Sequence, residues 1–227
     1  MKIDTIGNLK FYNADNLEIM RGMEDNEFDL AIVDPPYGIN MDGGKIGSDN
    51  CGKAKNYTKK DWDKEPPTKE YFNELFRVSK NQIVFGANHF ASLMPYNSSC
   101  WIVWDKDNTG NFADCELAWA SFDTAVRKFK WRWNGMLQQN MKDKQERIHP
   151  TEKPIQLYEW ILFNYAKPNQ KILDTHLGSG SIAIAIEKAN RINNMGLQFT
   201  GIELDEEYYN AALQRFKIFA MQQTIMW

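Results

Sequence analysis

Ile172-Leu173-Asp174-Thr175-His176-Leu177-Gly178-Ser179-Gly180-Ser181 is the stretch whose reading decides the fold. A short apolar run ends on an aspartate, turns through two glycines and opens a segment rich in Ala and Ile. Strand, glycine turn and helix in succession form a nucleotide-type cradle. Gly178 and Gly180 let the backbone approach a ligand closely, and the helix start with Ser179 and Ser181 offers donors to a carboxylate. The spacing is Gly-x-Gly, so the longer dinucleotide fingerprint is not met. Downstream, Gly201-Ile202-Glu203 ends a second apolar run, where an acidic residue can grip both hydroxyls of a ribose.

Outward from this unit the chain alternates apolar runs with amphipathic stretches, the pattern of an α/β fold. Strands are expected at Leu9–Asn13, Asp29–Val33, Gln82–Phe85, Trp101–Trp104, Glu116–Ser121, Lys171–Asp174 and Phe199–Glu203. Helices are expected at Thr68–Val78, Ile155–Tyr165, Ser181–Ala189 and Asp205–Phe219. Two stretches break the alternation. Residues 38–65, rich in Gly, Asn, Asp and Lys, read as a mobile loop. Residues 121–150 interleave basic residues with Phe129, Trp131 and Trp133. At 227 residues the chain is expected to be a single domain, 1–227.

Composition narrows the function classes. Apolar residues at 43% and charged residues at 25% describe an ordinary globular chain. A net charge of −3 provides no overall basic field, so any nucleic-acid affinity must come from local patches. The cysteines, Cys51, Cys100 and Cys115, are odd in number and form no CxxC pair, which favours reduced thiols, a cytoplasmic setting and no metal site. No signal peptide or membrane span is expected.

The sharpest chemical motif is Asp34-Pro35-Pro36-Tyr37, directly after an apolar strand. A carboxylate there sits where open α/β sheets place their ligands. Consecutive prolines remove N–H donors and stiffen the turn, which leaves carbonyl oxygens and the Asp34 carboxylate as an acceptor-only site. Such a site suits an amino group with two hydrogens to donate, and Tyr37 supplies an aromatic face. The N6 nitrogen of adenine is a weak nucleophile because its lone pair is delocalised into the ring. Hydrogen bonds from it to Asp34 and the Pro35 carbonyl favour a tetrahedral nitrogen able to attack a sulfonium methyl. Asp34 can then take the proton.

Together these motifs resemble the β-class amino methyltransferases of DNA, and phage and prophage adenine methylases in particular. Asp34–Tyr37 is similar to their catalytic motif, Leu173–Ser181 to their cofactor motif, and Gly201–Glu203 to the ribose motif. His149-Pro150-Thr151-Glu152-Lys153-Pro154 is similar to the motif that precedes the cofactor motif in this class. Asn13–Leu17, Trp104-Asp105-Lys106 and Asn111–Glu116 add to the likeness.

The resemblance implies a Rossmann-like, seven-stranded, mostly parallel methyltransferase sheet with circularly permuted motif order. It implies S-adenosylmethionine as cofactor, DNA as partner, a flipped target base, a homodimer and a link to restriction-modification. The cofactor residues it implies are Asp15, Asp34, Lys153, Asp174, His176, Gly178, Ser179, Gly180, Ser181 and Glu203. The catalytic residues are Asp34, Pro35, Pro36 and Tyr37. For DNA contact the expected residues are Lys55, Lys59 and Lys60 in the loop after the catalytic motif, with Arg127, Lys130 and Arg132 in the basic segment.

Several alternatives stay open on sequence. Asp15 can accept from the cofactor's adenine amine or cap a helix beginning near Leu17. His176 stands where the family carries Phe and can donate to the cofactor carboxylate or act as a neutral spacer. The segment Arg127–Trp133 can bind DNA or form an edge strand with a solvated charged face. RNA adenine N6, DNA cytosine N4 and a non-catalytic cofactor-binding subunit are competing functions.

Overall fold

Period-two apolar patterning decides the architecture. Leu30 and Ile32 enter one core cluster while Ala31 and Val33 enter another, and Ile172 and Leu173 divide in the same way. Such strands are buried on both faces, so helices must cover both sides of the sheet. The computed structural model describes residues 1–41, 43–46, 55–108, 113–134, 137–142 and 144–224. Cys51 and Asn111-Phe112 lie outside the described residues, as does the Lys55 side chain.

In chain order the elements are β1 (Lys2–Ile6), β2 (Leu9–Asn13), α1 (Asn16–Arg21), β3 (Leu30–Val33), β4 (Gly44–Ile46), β5 (Lys55–Tyr57), α2 (Lys69–Val78) and β6 (Gln82–Phe85). There follow β7 (Trp101–Asp105), β8 (Cys115–Ala120), β9 (Arg127–Lys130), β10 (Trp133–Asn134), β11 (Leu137–Gln138) and α3 (Ile155–Tyr165). The chain continues through β12 (Lys171–Asp174), α4 (Ser181–Asn193), β13 (Gln198–Glu203) and α5 (Glu206–Thr224). The main sheet has nine strands in the order β1-β2-β13-β12-β3-β6-β8-β7-β9.

All seven expected strands form the middle of this sheet. The widening to nine comes from the edges: β1 pairs antiparallel to β2, and β9 pairs parallel to β7. Both edge strands carry polar or charged residues on a half-wet face, so apolar runs do not mark them. Of the inner strands, β8 runs antiparallel to β6 and β7, and the remaining inner pairs are parallel.

α1 is an addition to the expected helices, and Asp15 is its N-cap, accepting from the Glu18 N–H. Thr68 caps α2 in the same way. Asp205 accepts from the N–H groups of Glu207 and Tyr208 at the start of α5, whose acidic first turn complements the helix dipole. One core cluster includes residues of α3, α4 and α5, the other residues of α1 and α2. The strand order reverses direction around β12 and β3, and the crevice beyond their carboxyl ends is where ligands bind in such sheets.

Candidate active site

β3 delivers Asp34 to that crevice. The Tyr37 hydroxyl donates to Asp34 Oδ1 at 2.7 Å. Buried Asp63 fixes the turn: its Oδ1 accepts from the N–H groups of Tyr37 and Gly38 at 2.7 and 2.9 Å, and its Oδ2 accepts from Met41 at 2.7 Å. Gly86, at the end of β6, makes room for the Tyr37 ring. A Cβ there would stand 2.0 Å from Tyr37 Cε1, and its φ of +67° already favours glycine. The exposed His89 ring stacks on Tyr37 at 5.0 Å and 15°. A base stacking on that face must displace His89. Asp63 and Gly86 were not singled out in the sequence, because each acts on Tyr37 from a distant segment.

Lys153 meets the catalytic carboxylate directly. Its side chain is 3% exposed, and its Nζ pairs with Asp34 Oδ2 and lies 3.3 Å from Glu116 Oε2 and from the Tyr37 hydroxyl. Lys106 pairs with the other oxygen of Glu116. Burial opposes ionisation of Glu116, but Lys153 and Lys106 outweigh it and pull the carboxyl down to about 2. Burial likewise opposes the Lys153 ammonium, and Asp34 with Glu116 hold it above its ordinary value. Burial lifts Asp34 above the usual carboxylate range, with Lys153 working the other way.

Two adjoining cavities meet at this cluster, about 640 and 690 Å³ in volume. Both are lined by Asp34, Pro36, Trp62, Thr151, Glu152 and Lys153. The first cavity lies over the glycine turn. Of the residues expected to hold the cofactor, Asp34, Lys153, His176, Gly178, Ser179 and Glu203 line it. Asp174, Gly180 and Ser181 belong to the same strand-turn-helix unit but are not part of the lining, and Asp15 faces solvent as the cap of α1. Asn16 lines the cavity in its place.

Glu203 accepts from the N–H groups of Gly178 and Asp205 at 2.8 and 2.9 Å, which aims its carboxylate at the cavity. A Cβ on Gly180, φ +70°, would meet the Ala212 Cβ at 3.2 Å, so this glycine lets the turn pack onto α5. Burial raises Asp174 to about 8, and its Oδ1 accepts from the His176 N–H at 3.0 Å. Burial drives His176 down to about 3, so its ring is neutral. Asn16 Nδ2 lies 3.0 Å from His176 Nε2, which makes Nε2 the acceptor and places the ring proton on Nδ1, 2.9 Å from Thr175 Oγ1. Thr175 in turn meets the Tyr71 hydroxyl at 2.7 Å.

The second cavity is framed by Pro35, Tyr37, Trp104, Lys106, Glu116 and Trp133. A flat aromatic ring fits such walls, and Asp34 stands where this cavity opens into the first.

The residues expected to touch DNA scatter. Lys60 lines the first cavity and pairs with Asp205 at 2.9 Å and with Glu207 at 2.5 Å. Lys59 is exposed. Lys130 and Arg132 both pair with Asp107, at the carboxyl end of β7 beside the site. Arg127 pairs with Ile102 at the other end of β9, three residues and so about 10 Å away. The segment is an edge strand, and its charged side chains are partly spent on Asp105 and Asp107. Among the described residues no cluster of His, Cys, Asp and Glu is arranged to hold a metal, and no helix is long and apolar enough to cross a membrane.

The chain is similar to several known proteins. The family model N6_N4_Mtase, described as DNA methylase, matches residues 121–214. The YubD protein of Escherichia coli (strain K12) is 25% identical over 94% of this chain and 93% of its own length. The type II methyltransferase M2.DpnII of Streptococcus pneumoniae is 23% identical over 90% of this chain and 88% of its own. Among solved structures, M1.HpyAVI in complex with SAM superposes with a TM-score of 0.54 at 21% identity, covering 91% of this chain and 99% of that one. The cytosine-N4-specific PvuII DNA methyltransferase superposes at 0.60 with 12% identity, covering 93% and 87%. In sequence the chain is similar to type II DNA methyltransferases and, over residues 121–214, to the N6_N4_Mtase model, and its fold is similar to that of solved DNA methyltransferases.

Proposed function

We propose that the chain is an S-adenosylmethionine-dependent DNA methyltransferase acting on adenine N6 of an extruded base. The observation that carries this reading is the placement of Asp34 where a cofactor-sized cavity opens into an aromatic-walled one. The first cavity fits the cofactor: it offers the Glu203 carboxylate for ribose hydroxyls, and the Gly178 turn allows close backbone approach. When bound, S-adenosylmethionine supplies an electrophilic methyl on sulfur.

The protein's own part is acceptance and positioning. Asp34 and the Pro35 carbonyl take the two amine hydrogens, and the nitrogen lone pair turns toward the first cavity. Tyr37, held by Asp63 and Gly86, fixes the Asp34 carboxylate. Because burial raises its pKa, Asp34 is suited to take the proton that the nitrogen releases after transfer. Extrusion is required because N6 in a duplex is paired. Residues 1–227 act as one domain in this reading. Within 121–150, Lys130 and Arg132 are the DNA-facing cations, while Arg127 lies too far along the sheet to serve the same phosphates.

The test is incubation of purified protein with labelled cofactor and unmethylated genomic DNA, with matched RNA alongside, followed by chromatography of the nucleosides. N6-methyldeoxyadenosine that disappears with Asp34→Ala is the expected product. N4-methylcytosine, RNA-only labelling or an active Asp34→Ala enzyme refutes the reading.

A further inference from the structure

Each oxygen of the Asp34 carboxylate holds one donor before any base arrives. Oδ1 holds the Tyr37 hydroxyl, and Oδ2 holds the Lys153 ammonium. A carboxylate oxygen can take a second donor, but the Lys153 ammonium on Oδ2 competes with the amine for the same acceptor and repels the nitrogen as it becomes positive. Lys153 cannot retreat to solvent, since its side chain is 3% exposed. It does have a second acceptor within reach. Glu116 Oε2 is 3.3 Å from Nζ, yet this buried oxygen receives no well-directed hydrogen bond. The other oxygen of Glu116 is held by Lys106, which itself rests over the Trp104 ring at 4.9 Å. β8 pairs Glu116 with Trp104 of β7, so the carboxylate is anchored on the sheet and lines the base cavity. A buried charged oxygen left without a good donor is costly unless it is used in another state of the site.

We propose that Glu116 is the second seat of Lys153. As the base amine bonds to Asp34, the ammonium shifts from Asp34 Oδ2 to Glu116 Oε2. No proton or covalent bond changes in this shift, and the cluster keeps its net charge. The shift frees an Asp34 oxygen as acceptor and draws a positive charge away from a nitrogen that becomes positive during transfer. Glu116 is thus a positioning residue acting through Lys153. The proposal rests on the reading of Asp34 as the amine acceptor. Other titratable groups in electrostatic reach are Asp174 of β12, Tyr71 of α2 and Tyr158 of α3, which interact with Asp34, and His149, which interacts with Lys153.

The test is single-turnover methyl transfer from labelled S-adenosylmethionine to unmethylated genomic DNA as a function of pH, with cofactor affinity measured separately. In Glu116→Gln the ammonium has no charged second seat. The expected plateau rate falls about tenfold, cofactor affinity stays unchanged, and the acid limb moves down by about one pH unit, because Asp34 loses a negative neighbour and keeps its cation. Glu116→Asp, which withdraws the carboxylate by one methylene, shows the same changes at smaller size and serves if the first variant does not fold. Wild-type plateau and acid limb in both variants overturn the proposal. A slower enzyme whose acid limb has not moved also overturns it, because packing alone explains that result. Asp34→Ala, which removes both acceptor oxygens, separates the two levels. If it is active, the acceptor reading itself fails; if it is inactive beside a wild-type-like Glu116→Gln enzyme, the second seat alone fails.

Discussion

Asp63 holds the catalytic turn by three backbone N–H groups, and removing it measures how far the turn depends on a segment distant in sequence. Asp63→Ala leaves the N–H groups of Tyr37, Gly38 and Met41 without their acceptor, while the Asn40 N–H keeps the Asp63 backbone carbonyl. A hydrogen bond to a charged acceptor contributes about 1.5–3 kcal/mol. The turn is only half-buried, so water recovers part of the loss, and the net cost is about 2–4 kcal/mol. Asp63→Asn keeps the acceptor for Tyr37 and Gly38 but can turn an amide donor toward the Met41 N–H, so it costs about 1–2 kcal/mol. Tyr37 then drifts from Asp34, and a misplacement of about 1 Å near the reacting atoms costs on the order of a hundredfold in rate. Urea unfolding followed by circular dichroism reads the first quantity, and single-turnover transfer reads the second. The reasoning fails if Asp63→Ala unfolds within about 0.5 kcal/mol of wild type and transfers methyl groups within twofold.

Four further outcomes are expected. Gly86→Ala pushes the Tyr37 ring out of its seat, so transfer falls about a hundredfold while cofactor affinity holds; a wild-type rate refutes the steric argument. His149, driven to about 3 mainly by burial, lies below its unfolded value of about 6.5, so its stabilisation is complete above pH 6.5 and declines toward pH 3 as the unfolded chain takes up the proton. Replacing it with Gln removes up to about 1.4 kcal/mol per pH unit of acid sensitivity in urea titrations at pH 6 and 5, and an unchanged slope defeats this assignment. Lys60→Met loosens the segment clamped to Asp205 and Glu207 and weakens cofactor binding severalfold by calorimetry, whereas equal affinity means the clamp does not enclose the cofactor. Lys130→Ala and Arg132→Ala each reduce the slope of log affinity against log salt for DNA by about one, and Arg127→Ala leaves it alone; the opposite ranking refutes the placement of DNA at the carboxyl edge.

Local patterning by itself determined the sheet interior and the two chemical turns. Asp34–Tyr37 and Asp174–Ser181 each follow a run of strand-forming residues, and such turns can be read locally because strand, turn and helix starts are short-range choices. The edge strand β1 escaped, and β9 was legible only as an alternative to a DNA-binding segment, because an edge strand needs only one covered face and its alternation is faint. Asp15 shows the limit on the site: the residue type was right for two roles, and the helix that formed at Asn16 used its carboxylate as a cap.

What only the tertiary structure decided is which charges meet. Lys153 stands 119 residues after Asp34 and 37 after Glu116, and nothing in the motif around it tells that its ammonium lies between those two carboxylates. Likewise Asp63 and Gly86 act on Tyr37 only once β3, β6 and the loop before α2 are packed side by side. Backbone preferences act over a few neighbouring residues. Coulomb forces and steric fit act through space, and the distances that govern them exist only after the chain has closed its sheet.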